Sequence, residues 1–198
     1  MNLPNKITVG RILLVPIMII VALISIPGDV FGIPIKNIIL DIIFIIGSVS
    51  DHIDGKLARK NNQVTVFGKF LDPIADKILV VSAMIILVEQ NIIPSWIPII
   101  VILREFVVSG YRLVAVQNNG EVIAANIWGK IKTTTQMIAV ILAFVSVYGF
   151  GQFASVQMPI PFIIINVIMT ICMIACVIAT LFSGYTYLKG GKELLKDM

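Results

Sequence analysis

A transmembrane helix needs about 20 predominantly apolar residues. This chain reaches that length six times, at roughly residues 7–27, 35–60, 68–90, 94–117, 127–149 and 160–188, with Pro, Gly and polar breaks between. Composition agrees, with 58% hydrophobic residues and only 13% charged over 198 residues, where a soluble domain carries about a quarter charged. The expectation is an all-α integral membrane protein of six transmembrane helices, forming one domain over residues 1–198. The first run has no small-residue cleavage pattern after it and is interrupted at Pro27, so it is read as a retained span and not as a secretory leader.

Charge placement orients the bundle. Connections 28–34, 91–93 and 150–159 hold no Lys or Arg, and of the fifteen basic residues only Lys36 falls on their side. The positive-inside rule then puts both termini in the cytoplasm. It also accounts for the net charge of +4, which therefore gives no reason to expect a nucleic-acid partner. Trp96, Tyr148, Tyr185 and Tyr187 lie near span ends, where interfacial aromatics belong. Cys172 and Cys176 are one helical turn apart in an apolar run and read as lipid- or core-facing side chains. Asp41 and Glu89 lie toward the outer side and read as structural or interfacial.

Four aspartates break this apolar background. They are spaced i, i+3 (Asp51, Asp54) and i, i+4 (Asp72, Asp76), so each pair shares one face of its helix. At 1.5 Å per residue, Asp51 lies about 13 Å from the inner end of its span and Asp76 about 12 Å into the next. Arg112 and Arg104 lie about 8 and about 20 Å from the inner end of the fourth span, and Lys130 and Lys132 open the fifth. Charge at such depth marks a functional site and implies a polar cavity opening to the cytosol. Four converging carboxylates need cations, and hard divalent ions such as Mg²⁺, Mn²⁺ or Ca²⁺ suit oxygen donors best. Gly55 and Gly68 let a ligand or backbone come close, Ala58 continues that smooth strip, and Arg59 offers a bidentate fork for phosphate. Pro73 denies the third span one backbone hydrogen bond. His52, alone between aspartates, reads as a spectator. The plain structural alternative is that the aspartates pair with Arg59, Lys69 or Lys77 and only lock helices together.

The string Asp51-x2-Asp54-Gly55-x2-Ala58-Arg59-x8-Gly68-x3-Asp72-x3-Asp76 resembles, at each of its positions, the motif of the CDP-alcohol phosphotransferases. These are membrane enzymes that move a substituted phosphate from a CDP-linked donor to an alcohol and release CMP. Within that family the chain is most similar to the branch that transfers a phosphatidyl group from CDP-diacylglycerol to glycerol 3-phosphate. The pieces that carry this are Pro4-Asn5-x-Ile7-Thr8-x2-Arg11, Gly68 to Lys77, Arg104-Glu105-Phe106 with Arg112, and Gly129-Lys130-Ile-Lys132-Thr133.

The resemblance implies two divalent cations, Mg²⁺ or Mn²⁺, with Asp51, Asp54 and Asp72 as ligands. Asp76 is then placed to take the proton from the acceptor hydroxyl, while also touching a metal. Gly55, Ala58, Arg59 and Gly68 would line the cytidine diphosphate pocket, and Asn5, Thr8 and Arg11 would close it from the first helix. The alternative for that trio is an Asn/Thr helix cap beside a snorkelling Arg. The resemblance also implies a homodimer.

The acceptor's phosphate needs its own cations. Arg104 and Arg112 lie about 80° apart around one helix, and Lys130 and Lys132 approach from the next. A dianionic phosphate explains several cations better than serine or inositol would, although Glu105 can also serve Arg104 as an internal partner. Three other readings stand beside this one: the same chemistry on inositol phosphate, serine, choline, ethanolamine or phosphatidylglycerol; a divalent-cation transporter; and a purely structural membrane protein. A transporter would carry polar residues through to the outer side, where here only Asp41 and Lys36 lie.

Overall fold

The computed structural model describes the backbone of residues 3–60, 66–117, 127–154 and 156–190, and side chains within 5–50, 71–111, 127–154 and 156–189. Among the described residues the chain is helical apart from short connections. The helices are α1 (Leu3–Leu23), α2 (Ile35–Lys60), α3 (Val66–Glu89), α4 (Trp96–Gln117), α5 (Ile127–Val145) and α6 (Ile160–Gly190). Four of these, α2, α3, α4 and α6, follow the runs read from the sequence to within two residues at each end.

The differences lie at the ends. α1 begins at Leu3 and ends at Leu23, not over 7–27, so Asn5 and Thr8 lie within it and are buried. A capping role for them therefore gives way to a packed one. Beyond α1, a small hairpin that sequence periodicity missed pairs Asp29 with Pro34 and Val30 with Ile33. Its turn residues Phe31 and Gly32 both have positive φ, 53° and 83°, the type I′ geometry of two-residue hairpins. α5 stops at Val145, short of 149. α3 runs unbroken through Pro73, and after its last residue Asn91, at φ 59°, supplies a left-handed turn that ends it.

Short connections make successive helices antiparallel, with α5 packed along α6, α1 against α2 and α3, and α4 against α6. A core of Phe44, Met84, Leu87, Ile97, Phe144 and Met173 joins α2 to α6, with the Phe44 and Phe144 rings 6.4 Å apart. α1 and α6 contain stretches, Asn5–Leu23 and Ile160–Lys189, long and apolar enough to cross a membrane. The intervening helices carry ionisable residues within their length. Among the described residues Asp76, Lys77, Arg104, Glu105 and Lys132 gather at one end of the bundle, while Lys36, Asp41 and Glu89 lie toward the other.

The opposite end is closed by ordinary polar contacts. Lys36 donates to the Ala22 carbonyl at 3.2 Å, where a cation also meets the negative end of the α1 dipole. Asn166, fully buried, donates to the carbonyls of Tyr148 and Gly149 at 3.0 Å each and accepts from the Phe153 amide at 3.3 Å. Trp96 meets Phe150 edge-to-face, and Tyr148 meets Phe162 in the same way. Tyr187 does not join the interfacial aromatics: it is buried and faces the charged end.

Candidate active site

The charged end gathers the start of α1, α3 and α5 with the end of α2, α4 and α6. Thr8 on α1 donates to Oδ1 of Asp72 on α3 at 2.7 Å, which ties one motif carboxylate to the first helix. Arg11, one turn further along and 1% exposed, donates from Nε to the Gly47 carbonyl on α2 at 3.2 Å. Gly47 itself has no room for a side chain: a Cβ at that position would sit 2.5 Å from Cδ2 of Leu79 and 3.3 Å from Leu14. Gly47 thus lets α1, α2 and α3 meet closely just before α2 reaches position 51. Asn5 and Thr8 are buried beside this contact, so the first-helix trio faces inward as a group.

Residues 51 and 54 continue α2, and residues 72 and 76 lie one turn apart on α3, which packs against it. Asp72 and Asp76 are half-buried. The side chains of Asp51, Asp54, Gly55, Ala58, Arg59 and Gly68 lie outside the described residues, as does that of Arg112. The donor chemistry at these four positions is carboxylate oxygen throughout, and the observed Asp72 accepts a hydrogen bond with one oxygen while its second remains to be shared. Such a set fits a hard divalent cation and not a soft one.

Asp76 opens onto a cavity of about 110 Å³ whose wall also holds Lys77, Arg104, Glu105 and Lys132. That is ample for a small oxyanion, since a single water needs only about 10–15 Å³ of such space. Three helices supply the cations, and Glu105 on α4 links them. Its Oε1 lies 2.8 Å from Arg104 Nη1 and 2.7 Å from Lys132 Nζ, and its Oε2 lies 3.6 Å from Lys77 Nζ. Lys77 also donates to Ser109 on α4. Side chains this enclosed tolerate charge because each cation has an anion within reach.

Arg104 is held more tightly than a surface arginine. Its Nη2 donates to Ser183, its guanidinium lies 5.8 Å from the Tyr187 ring centre, and Gly129 and Gly184 flank it. A Cβ on either glycine would be in contact with it, at 3.7 and 3.6 Å. Its Nε is buried with no hydrogen-bond partner among the described residues. α5 and α6 therefore form a slot around this one side chain, with glycines along its flanks.

The two α5 lysines diverge. Lys132 is buried and lines the cavity, whereas Lys130 is exposed on the first turn and is not part of its wall. Lys77, Ser109 and Ser183 join the site although sequence reasoning gave them no functional role. Lys77 was visible in the motif, immediately after Asp76, but read only as a counter-ion. The two serines carry no signal short of knowing which helices touch. Beside the polar cavity, an apolar groove of about 420 Å³ opens between α3 and α4, bounded by Ile74, Ile78, Ile102 and Phe106 and sharing Lys77 and Glu105 with it.

A helical bundle in which Asp76 on α3 shares a cavity with cations from α3, α4 and α5 points to enzymes of phosphate esters at a membrane. The chain matches the CDP-alcohol phosphatidyltransferase family over residues 1–183 and belongs to it. Among its relatives is the CDP-diacylglycerol–glycerol-3-phosphate 3-phosphatidyltransferase of Bacillus subtilis, 52% identical over 145 residues, 70% of this chain and 74% of that one. The enzyme of the same name from Haemophilus influenzae is 42% identical over 70% of this chain and 72% of its own length. That of Rickettsia bellii is 31% identical over 97% and 96% of the two chains.

Proposed function

We propose that this protein transfers the phosphatidyl group of CDP-diacylglycerol to glycerol 3-phosphate, giving phosphatidylglycerophosphate and CMP. The observation that carries this is the cavity in which Asp76 shares walls with Lys77, Arg104 and Lys132: a proton acceptor beside a cluster of cations sized for a small oxyanion. The relatives' shared name supports the same reaction. The apolar groove adjoining the cavity suits a reaction between a lipid-borne donor and a water-soluble acceptor.

Asp51, Asp54, Asp72 and Asp76 would hold two divalent cations, Mg²⁺ or Mn²⁺, which when bound neutralise the donor's diphosphate. Thr8 orients Asp72 through its hydrogen bond. Arg59, with the smooth strip of Gly55, Ala58 and Gly68, receives the cytidine diphosphate, and Asn5, Thr8 and Arg11 close that side. Lys77, Arg104 and Lys132, with Arg112 from the same helix as Arg104, hold the acceptor's phosphate, while the exposed Lys130 attracts it at the mouth. Fixing both reactants this way converts an encounter into an aligned attack. The acceptor hydroxyl gives its proton to an Asp76 carboxylate oxygen and forms the new bond to phosphorus. The bond from phosphorus to the CMP oxygen breaks, and CMP leaves with that electron pair.

The chain in this reading is one domain of six transmembrane helices with both termini and the site on the cytosolic side, in agreement with the basic residues. Its exposed aliphatic residues, such as Leu103, Ile99, Ile171 and Ile164, face lipid. The family resemblance adds a homodimer, which the mass of the detergent-solubilised particle checks. The deciding assay is CMP release by purified protein with CDP-diacylglycerol and Mg²⁺ or Mn²⁺ across a panel of acceptors. Release confined to glycerol 3-phosphate is expected; release with inositol phosphate, serine or phosphatidylglycerol instead would reassign the acceptor.

A further inference from the structure

Glu105 is an unusual choice for a pocket that must attract an anion. It projects into the cavity wall, and three cations from three helices contact it. If helix locking were its whole task, one cation would satisfy it, and burial away from the cavity would serve better. Instead both short hydrogen bonds converge on Oε1, and among the described residues Oε2 has only the long contact to Lys77. The cations are not used up. An ammonium has three donors, and Lys132 spends one on Glu105. Glu105 thus offsets one of three positive charges on this wall, and Asp76, on the same wall, offsets a second.

We propose that Glu105 is a specificity-determining residue that lowers the positive charge of the Lys77–Arg104–Lys132 cluster, so that the phosphate-bearing acceptor binds and the phosphorylated product still departs. This rests on the assignment of the cavity to the acceptor phosphate. Because the product keeps that phosphate, a pocket that bound it more tightly would hold back the product as well. Uniform tightening of ground states lowers KM without raising kcat. The carboxylate therefore sets affinity by charge, separately from any part it has in packing α3, α4 and α5 together.

The test is Glu105→Gln, which keeps the shape and removes the charge. In full-length protein in detergent, without donor, titration calorimetry should show inorganic phosphate and glycerol 3-phosphate binding about tenfold more tightly than to wild type, the scale of one added charge at this range and partial exposure. In turnover, KM for glycerol 3-phosphate should fall, kcat should fall with it, and KM for CDP-diacylglycerol should stay unchanged. The double variant Glu105→Gln/Lys77→Met returns the cluster to its wild-type net charge and should restore wild-type phosphate affinity. It carries the test alone if the single variant does not fold. Unchanged or weaker phosphate binding by a folded Glu105→Gln, or lost affinity in the double variant, overturns the proposal while leaving the reaction intact. Wild-type protein that binds neither phosphate nor glycerol 3-phosphate overturns the acceptor assignment and this inference together.

Discussion

Replacing Thr8 by Val removes a single donor, the hydroxyl that reaches Asp72 Oδ1 at 2.7 Å, and leaves a side chain of the same outline. Both residues are β-branched and similar in helix propensity, and Thr8 is 1% exposed, so α1 has little reason to move. Hydrogen bonds to charged groups contribute about 1.5–3 kcal/mol. If that energy aligns Asp72 in the transition state, the rate falls about tenfold to a hundredfold, since each 1.36 kcal/mol is a factor of ten. CMP release at saturating CDP-diacylglycerol and glycerol 3-phosphate measures it, with thermal melting in detergent as the control and Thr8→Ser, which keeps the hydroxyl, expected close to wild type. Val at position 8 with kcat within threefold of wild type would refute the alignment role. A loss of activity matched by an equally large loss of melting temperature would make the contact a strut between α1 and α3 instead.

Three further outcomes follow from other contacts. Gly47→Ala puts a Cβ against the enclosed Leu79 and Leu14, so it should destabilise by about 1–3 kcal/mol, the usual range for overpacking, read as a lower melting temperature; an unchanged one would show that the helices part freely. Asn166→Leu strands the Tyr148 and Gly149 carbonyls that its amide serves; each buried group left without a partner costs about 1–3 kcal/mol, so melting should drop while KM for both substrates holds. Asp76→Asn should abolish CMP release in protein that still melts like wild type, and near-normal turnover would remove Asp76 as the proton acceptor.

Much of the helical layout was legible because the solvent imposes it. Runs of apolar residues near bilayer length can satisfy their backbones only as helices, and α2, α3, α4 and α6 lie within a few residues of where the runs placed them. The Phe31–Gly32 hairpin escaped because two paired residues a side leave no period to detect, and Asp29 to Pro34 is too short to read as strands. The motif positions were legible for a related reason: charge in an apolar run stands out, and i, i+3 and i, i+4 spacing makes it one-faced before any contact is known.

Which charges meet was decided by packing. Lys130 and Lys132 look equivalent in the chain, but two residues turn a helix by about 200°, so Lys132 is buried with an ion pair to Glu105 while Lys130 is exposed. Tyr187, a span-end aromatic by position, lies over Arg104 because α4 crosses α6 there. Gly47 is one small residue among many until Arg11 and Leu79 arrive from two other helices. Local periodicity thus dictated the helices and the face each charge would take. The partners of those charges, and so the cationic pocket built around Glu105, depend on residues as far apart as Lys77 and Ser183, and only the packing of the helices brings them together.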